Sequence, residues 1–404
     1  MHPIKINQLK IVIFILIGVK FILGGFSIWS KEFLEVFKTV TSVKIIPYIF
    51  LDLIYKLWLN LPISHSNEDT WLKGLYFSSK IDLYLLSFML KIPFLLADFL
   101  CGILIYKIVA YMVNEKNGII ALFIWLINPY VTLITEMMGA IDVFPVLFVL
   151  LSVFYLLKKK NALSFLFLTI AISLKLYPII IAPILLMFLT KPNKKDTFLL
   201  IVSSILGVTI YFHWIVNKLS MDFLSSLAFY TPFTFLPSDI MILFKYSHRV
   251  GLSIALGLTC LFLIHQYWLP KESKDLINAL LSFSLIYFAF LDWFPRYLLL
   301  LLSLTTINAV INKLNLKYLF FISFIAFLIA LITFNVNFAY HNSIFFIQNE
   351  KLGKQFYSLI EYIGYNIGVK FVIEPILRAL FIIICVFYSI KLLIKGFSFK
   401  VKSI

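Results

Sequence analysis

Charged residues are almost absent from a series of long apolar runs, and that spacing constrains this chain more than anything else. Ile11–Trp29 is the first such run, and comparable stretches recur to the C-terminus. A helix needs about 20 apolar residues to cross the hydrocarbon of a bilayer, and about 17 can suffice. On that rule the runs predict about twelve spans. They are Ile11–Trp29, Leu83–Met112, Ile119–Thr135, Val143–Leu157, Ala162–Leu176, Ile179–Thr190, Thr197–Val216, Val250–Trp268, Leu276–Leu291, Tyr297–Ile311, Lys317–Thr333 and Val372–Leu393. The sequence-based expectation is therefore an all-α polytopic membrane protein, with residues 1–404 forming one integral membrane domain. Composition agrees: 62% of residues are hydrophobic and 13% charged, against about 45–50% and about 25% in soluble domains. No small-residue cleavage site follows the first run, so it is expected to stay as a span. Cys101, Cys260 and Cys385 all fall inside apolar runs, which predicts neither disulfides nor a thiolate metal site.

The net charge of +16 does not point to nucleic acid. Lys158–Lys160, then Lys191, Lys194 and Lys195, then Lys271 and Lys274, then Lys313 and Lys317 sit in short connections on one side, with the tail lysines from Lys391 onward. An excess of lysine in short loops marks the cytoplasmic face, so both termini are expected inside. The opposite face receives the long connections: 30–82, 217–249 and 335–370. Val36–Leu61 mixes apolar residues with Lys38, Lys44, Asp52 and Lys56, the pattern of amphipathic helices lying in the interface.

Two pairs of spans are broken. Asn128-Pro129 interrupts the third and Pro145 enters the fourth. Lys175-Leu-Tyr-Pro178 separates the fifth from the sixth, which carries Pro183. Proline removes a backbone donor, and broken backbone at membrane depth requires protein or a water-filled cavity around it. An outward cavity is the simplest reading.

Ionisable residues within spans are functional candidates. Glu136 and Asp142 bracket the turn between the third and fourth spans. Lys175 ends the fifth, Asp292 and Arg296 flank another turn, and Glu374 and Arg378 form an i,i+4 pair. Asp98 stands mid-span, with Lys91 or Lys107 as its expected lysine partner, and Glu136 is placed where it reaches interfacial water. Cations at the outer interface can hold the phosphate of a lipid-linked substrate and stabilise the charge that develops as it leaves. A carboxylate can take the proton of an incoming hydroxyl. The first outer loop supplies Glu32, Glu35, Asp52 and the adjacent Glu68-Asp69.

The ordered set Trp125-Leu-Ile-Asn-Pro-Tyr130, Gly139-Ala-Ile-Asp142, Leu156-Leu-Lys-Lys-Lys160, Leu174-Lys-Leu-Tyr-Pro178 and Pro183 resembles the C-superfamily glycosyltransferases. Within them it looks closest to the mannosyltransferases of glycosylphosphatidylinositol (GPI) assembly and their bacterial and archaeal relatives. Lys91-Ile-Pro-Phe-Leu-Leu-Ala-Asp98 and Pro295-Arg296-Tyr297-Leu298 extend the likeness, which is clearest over 83–190. The resemblance implies transfer of a hexose, mannose, from a polyprenyl- or dolichyl-phosphate donor to a lipid-linked or glycan acceptor. The reaction would invert the anomeric carbon on the non-cytoplasmic face of a cell membrane or an ER-type membrane. The partners implied are the donor, the acceptor and membrane lipids. The family's acidic motif in the first outer loop, often Asp-x-Asp, is missing. Asp69 or Glu68 could match an adjacent-acid variant, with Glu32 in reserve. Asp142 corresponds to the family's Gly-x-x-Asp acid and Lys175 to its basic residue before Tyr-Pro. Arg296, Tyr177 and Glu136 complete the expected substrate site. No metal site and no cofactor is indicated, although a divalent cation is not excluded. Two other readings stay open: a lipid-linked sugar flippase or transporter, and a catalytically silent relative acting as a subunit.

Overall fold

The computed structural model describes residues 6–26, 53–54, 56–58, 60–62, 81–137, 139–189, 194–217, 257, 259–260, 272–290, 295–312, 316–333 and 369–401. Among these the regular structure is helical throughout. The elements are α1 (Ile6–Phe26), α2 (Ile81–Met112), α3 (Glu115–Ile127), α4 (Pro129–Thr132, continuing as a π-helical turn Leu133–Met137), α5 (Val143–Leu157), α6 (Asn161–Leu174), α7 (Ala182–Phe188, entered by a 3-10 turn Tyr177–Ile181), α8 (Lys194–Asn217), α9 (Ser273–Phe290), α10 (Leu298–Ile311, entered by a 3-10 turn Pro295–Tyr297), α11 (Leu316–Thr333) and α12 (Val369–Val401).

Eleven of the twelve expected spans coincide with one of these helices or with a broken pair of them, and Val143–Leu157 matches α5 end to end. Val250–Trp268 lies almost wholly outside the described residues, as do Glu32, Glu35, Asp52, Glu68, Asp69 and Asp292. Among the described residues, Phe88–Met112 and Pro375–Ile394 are long and apolar enough to cross a membrane. The pair Glu115–Ile127 and Pro129–Met137, bent by 52°, makes a third if it is one span. Breaks on either side keep α5, α6 and α7 short. α5, with 15 residues, is about 22 Å long, less than a hydrocarbon thickness of about 30 Å.

The chain forms two compact units: Met1–Gly102 with Leu122–Val143 and Ser323–Ala379, and Ile103–Ala121 with Phe144–Ile322 and Leu380–Ile404. In the first, α1 packs against the π-helical turn. In the second, α6 lies along α8, α9 along α10, and α7 against α9.

Helices in lipid gain little from hydrophobic burial against one another, so small residues and polar contacts hold them together. The second unit shows the polar kind. The Asn308 side-chain amide donates to Asn278 Oδ1, Asn312 Nδ2 donates to the same oxygen at 3.0 Å, and Tyr388 donates its hydroxyl to Asn308 Oδ1 at 2.7 Å. Ser282 and Ser389 share a bond at 2.7 Å, and Tyr318 stacks on Tyr388 with centroids 4.3 Å apart. These contacts fix the register of α9, α10 and α12 within that unit. Glycine supplies the close approaches. A Cβ on Gly118 would lie 2.8 Å from the Tyr106 carbonyl oxygen, whereas one on Gly18 would meet nothing within 4 Å.

These two glycines give opposite expectations. Gly118→Ala should lower stability by about 1–3 kcal/mol through backbone overpacking. Gly18→Ala should be neutral or gain about 0.5–1 kcal/mol from the better helix former. Melting midpoints in one detergent would separate them, and equal midpoints would contradict the close approach at Gly118.

Candidate functional site

The most highly charged cluster among the described residues sits in the first unit. Lys91 and Asp98 are seven residues apart on α2 and therefore share a face. Lys20 of α1 reaches Asp98 Oδ2 at 2.7 Å and Glu136 Oε1 at 3.0 Å. Each remaining carboxylate oxygen is also engaged. Trp125 Nε1 of α3 donates to Asp98 Oδ1 at 2.9 Å, and the Thr135 hydroxyl lies 2.6 Å from Glu136 Oε2. Lys91, fully buried, donates to the Met137 carbonyl at 3.0 Å. Lys20, Asp98 and Glu136 are each at most 5% exposed. A buried ion pair persists only where good geometry and further hydrogen bonds offset desolvation, and this cluster meets that condition.

Two expectations change here. Asp98 is partnered by Lys20, not by Lys91 or Lys107. Lys91 turns to the Met137 carbonyl and Lys107 is exposed. Glu136 does not reach interfacial water. Beyond the 52° bend after Ile127, the π-helical turn holds Glu136 buried against Lys20, the same ammonium that pairs with Asp98. No local pattern marks Lys20 as the partner, since it lies 78 residues from one acid and 116 from the other.

The break is built from its own residues. Asn128 stands before Pro129, the helix position where proline's missing donor costs nothing. Asn128 Oδ1 accepts from the Tyr130 N–H at 3.0 Å and the Val131 N–H at 3.4 Å, while its Nδ2 donates to Ser323 Oγ at 2.9 Å. After Met137, Gly139 takes a left-handed conformation at φ 64°, one that glycine adopts without strain. The turn sets Asp142 immediately before the first residue of α5, fully buried. A carboxylate is favoured at that position by the N-terminal end of the helix dipole.

In the second unit, Lys175 ends α6 in extended conformation, and Tyr177 and Pro178 begin the 3-10 turn that follows. Lys175 Nζ lies 5.9 Å from the centroid of the Tyr297 ring, and Tyr177 packs on Tyr297 at 5.1 Å and on Phe288 at 6.3 Å. Arg296, half-buried, is the neighbour of Tyr297 in the second 3-10 turn. Lys175 thus stands at the end of α6 and Arg296 just before α10, and the Lys175–Tyr297 and Tyr177–Tyr297 contacts bring these two chain segments together. Such a junction can hold a phosphate against a partly dry wall. Of the expected site residues, Glu136 and Asp142 belong to the first unit, and Lys175, Tyr177 and Arg296 to the second. Glu32, Glu68 and Asp69 lie outside the described residues. Among the described residues, no three of His, Cys, Asp and Glu stand close enough to hold a metal ion.

Removing the central cation tests the buried cluster. Lys20→Met leaves Asp98 and Glu136 facing each other and should cost about 3–5 kcal/mol of stability. Adding Asp98→Asn and Glu136→Gln to it should recover most of that loss. Melting curves of the single and triple variants decide, and a Lys20→Met protein as stable as wild type would remove the ion pairs from the account.

Comparison with known proteins falls on this part of the chain. Residues 63–240, under half of the chain, match the family model described as GPI transamidase subunit PIG-U. The matched range contains the Asn128 break, Asp142 and the Lys175 break, and excludes Arg296. The chain is also similar to GPI mannosyltransferase 1 of Candida albicans, at 36% identity over 118 residues (28% of this chain and 29% of the relative). It is 27% identical over 119 residues to GPI mannosyltransferase 1 of Schizosaccharomyces pombe (29% and 32%). It is 31% identical over 125 residues to that of Kluyveromyces lactis (30% and 31%). The matches thus span about a third of the length of these curated relatives. The chain is thus similar over part of its length to mannosyltransferases of GPI assembly, the family that the sequence resembles.

Proposed function

We propose that this chain is a membrane hexosyltransferase that moves mannose from a polyprenyl- or dolichyl-phosphate donor to a lipid-linked or glycan acceptor. The reaction takes place at the non-cytoplasmic face of a cell or ER-type membrane, with both termini cytoplasmic. The observation that supports this reading is that two helices break, each with ionisable or aromatic groups at the break, in a chain similar over part of its length to GPI mannosyltransferase 1. Apolar spans break only where protein or a cavity can satisfy the backbone, and a lipid-phosphate substrate needs its cations at such a place.

The proposed roles follow from charge. Lys175 and Arg296 bind the donor phosphate and stabilise the negative charge it gains as the glycosidic bond breaks. Tyr177 and Tyr297 form the apolar wall that strengthens those contacts. Asp142, set by the Gly139 turn, orients the sugar or the acceptor. Asp69 or Glu68, with Glu32 in reserve, takes the proton of the acceptor hydroxyl as it attacks the anomeric carbon from the face opposite the leaving phosphate. Configuration is thereby inverted. Glu136 has both oxygens engaged by Lys20 and Thr135 and acts by supporting the Asp142 turn. No cofactor enters the proposal.

One observation favours a second reading. The PIG-U family model covers the same segment, and the first loop carries no Asp-x-Asp. A non-catalytic subunit of a GPI-related membrane complex would have both features.

Purified protein in lipid, given radiolabelled polyprenyl-phosphate mannose and a host lipid extract, separates the two. Wild type should transfer label, and one of Asp69→Asn, Glu68→Gln and Glu32→Gln should lose at least about 100-fold in rate at an unchanged melting midpoint. Lys175→Met and Arg296→Met should each lower kcat/KM by about 10–100-fold, the effect of one charged hydrogen bond. A wild-type protein inactive with several lipid-phosphate sugars would leave the subunit reading standing.

A further inference from the structure

A pocket at the lysine-bearing helix ends has no part in the proposed transfer. It lies wholly in the second unit, measures about 640 Å³, and is lined by Lys159, Lys274, Ser273 and Glu272, with Leu156 and Phe188 on its apolar side. That volume is typical of small-molecule sites. Its depth follows from the helices around it. α2 ends at Met112, α5 ends at Leu157 before three lysines, and α9 begins at Ser273. Apolar runs stop where hydrocarbon gives way to headgroups, so the pocket opens at headgroup level.

The backbone at Lys159 is a second, independent observation. α5 closes with the Lys159 N–H on the Leu156 carbonyl at 2.8 Å and the Lys160 N–H on the Tyr155 carbonyl at 2.9 Å. This is the paired closure whose left-handed residue is usually glycine. Lys159 occupies that place at φ 59°, the only left-handed residue other than glycine among the described residues. A Cβ is strained there, and strain of this kind collects at functional positions. Lys159 thus brings a charge to the pocket it shares with Lys274, from a backbone position that glycine usually holds.

The lining charges select the ligand. Lys159 and Lys274 outweigh Glu272 by one positive charge, which suits a single phosphodiester. A carboxylate only accepts hydrogen bonds, so Glu272 repels a bare anion and favours one that carries hydroxyl groups. The apolar side suits the start of an acyl chain. We propose that this pocket binds an anionic phospholipid with a polyol headgroup, its phosphate between Lys159 and Lys274 and its hydroxyls on Glu272. Basic pockets between membrane helices recognise headgroups in this way. The assignment does not depend on catalysis, because it concerns different residues and is read by binding.

The test uses the full chain in phosphatidylcholine bilayers doped with phosphatidylglycerol, phosphatidylinositol or phosphatidic acid. Native mass spectrometry counts retained lipid, and melting midpoints report stability. Wild type should retain phosphatidylglycerol or phosphatidylinositol in preference to phosphatidic acid and phosphatidylcholine. Lys274→Gln and Lys159→Gly should each weaken retention about five-fold and the double variant about 25-fold. Lys159→Gly should at the same time raise the midpoint in plain phosphatidylcholine by relieving the left-handed strain, so that weaker lipid retention in a more stable protein reads as loss of the site and not of the fold. Lys159→Gln serves as the charge-only control. Glu272→Gln should reduce the preference over phosphatidic acid. Wild-type retention in the double variant would overturn the site. Equal retention of phosphatidic acid would overturn the polyol assignment, and displacement of bound lipid by equimolar soluble glycerol phosphate would overturn the lipid one.

Discussion

In hydrocarbon, no water is present to take a backbone N–H or C=O that loses its partner. That constraint governs this molecule, because its helices are interrupted where its chemistry is expected. Each interruption is repaired locally. At Asn128-Pro129 the asparagine oxygen stands in for the missing carbonyl and accepts from Tyr130 and Val131, while its amide reaches Ser323. After the π-helical turn, Lys91 caps the Met137 carbonyl. At Lys175 the chain passes straight into a 3-10 turn that continues as α7. The breaks are thus stable bends, and a bend in an apolar helix opens room that a continuous helix would fill.

The buried charges gather where the chain bends. Glu136 sits in the π-helical turn beyond the break, and Asp98 on α2. One ammonium bridges two carboxylates, an indole and a hydroxyl complete their hydrogen bonds, and Lys91 stands nearby as a second cation. The cluster ties α1 to the helices that lead into the Asp142 turn, so a residue near the N-terminus helps set the geometry of a segment more than a hundred residues later.

Much of this was legible in the sequence, and the failures have physical causes. Helix positions followed from the apolar runs, to the residue for Val143–Leu157, because Pro145 and the Lys158–Lys160 run mark both ends. The breaks at Asn128 and Lys175 were legible because proline has one local meaning in a helix. The partner of Asp98 was not, because ion pairing across helices depends on three-dimensional packing that leaves no periodic trace. Lys91 was the natural choice on the same face, yet its stem points to a carbonyl. Glu136 was misplaced because the sequence shows that a helix breaks but not the direction in which it resumes. The candidate bases Glu32, Glu68 and Asp69 rest on the sequence alone. Lys159 was visible as one of three lysines, but its left-handed backbone was not, since glycine is the usual signal for that conformation and none stands there.

The order of the Lys20 cluster along the chain also bears on how the protein is made. A ribosome delivers α1 before either of its acidic partners, so the Lys20 ammonium enters the bilayer ahead of Asp98 and Glu136. Asp98 follows in α2 and can neutralise it as that helix is released laterally. Glu136 arrives last and brings with it a threonine hydroxyl from the residue just before it. Each new acid therefore meets a cation already at membrane depth, and neither carboxylate has to wait unpaired in lipid. A chain without α1 would insert both acids without that cation, and would carry two uncompensated carboxylates into the lipid before its later helices could pack.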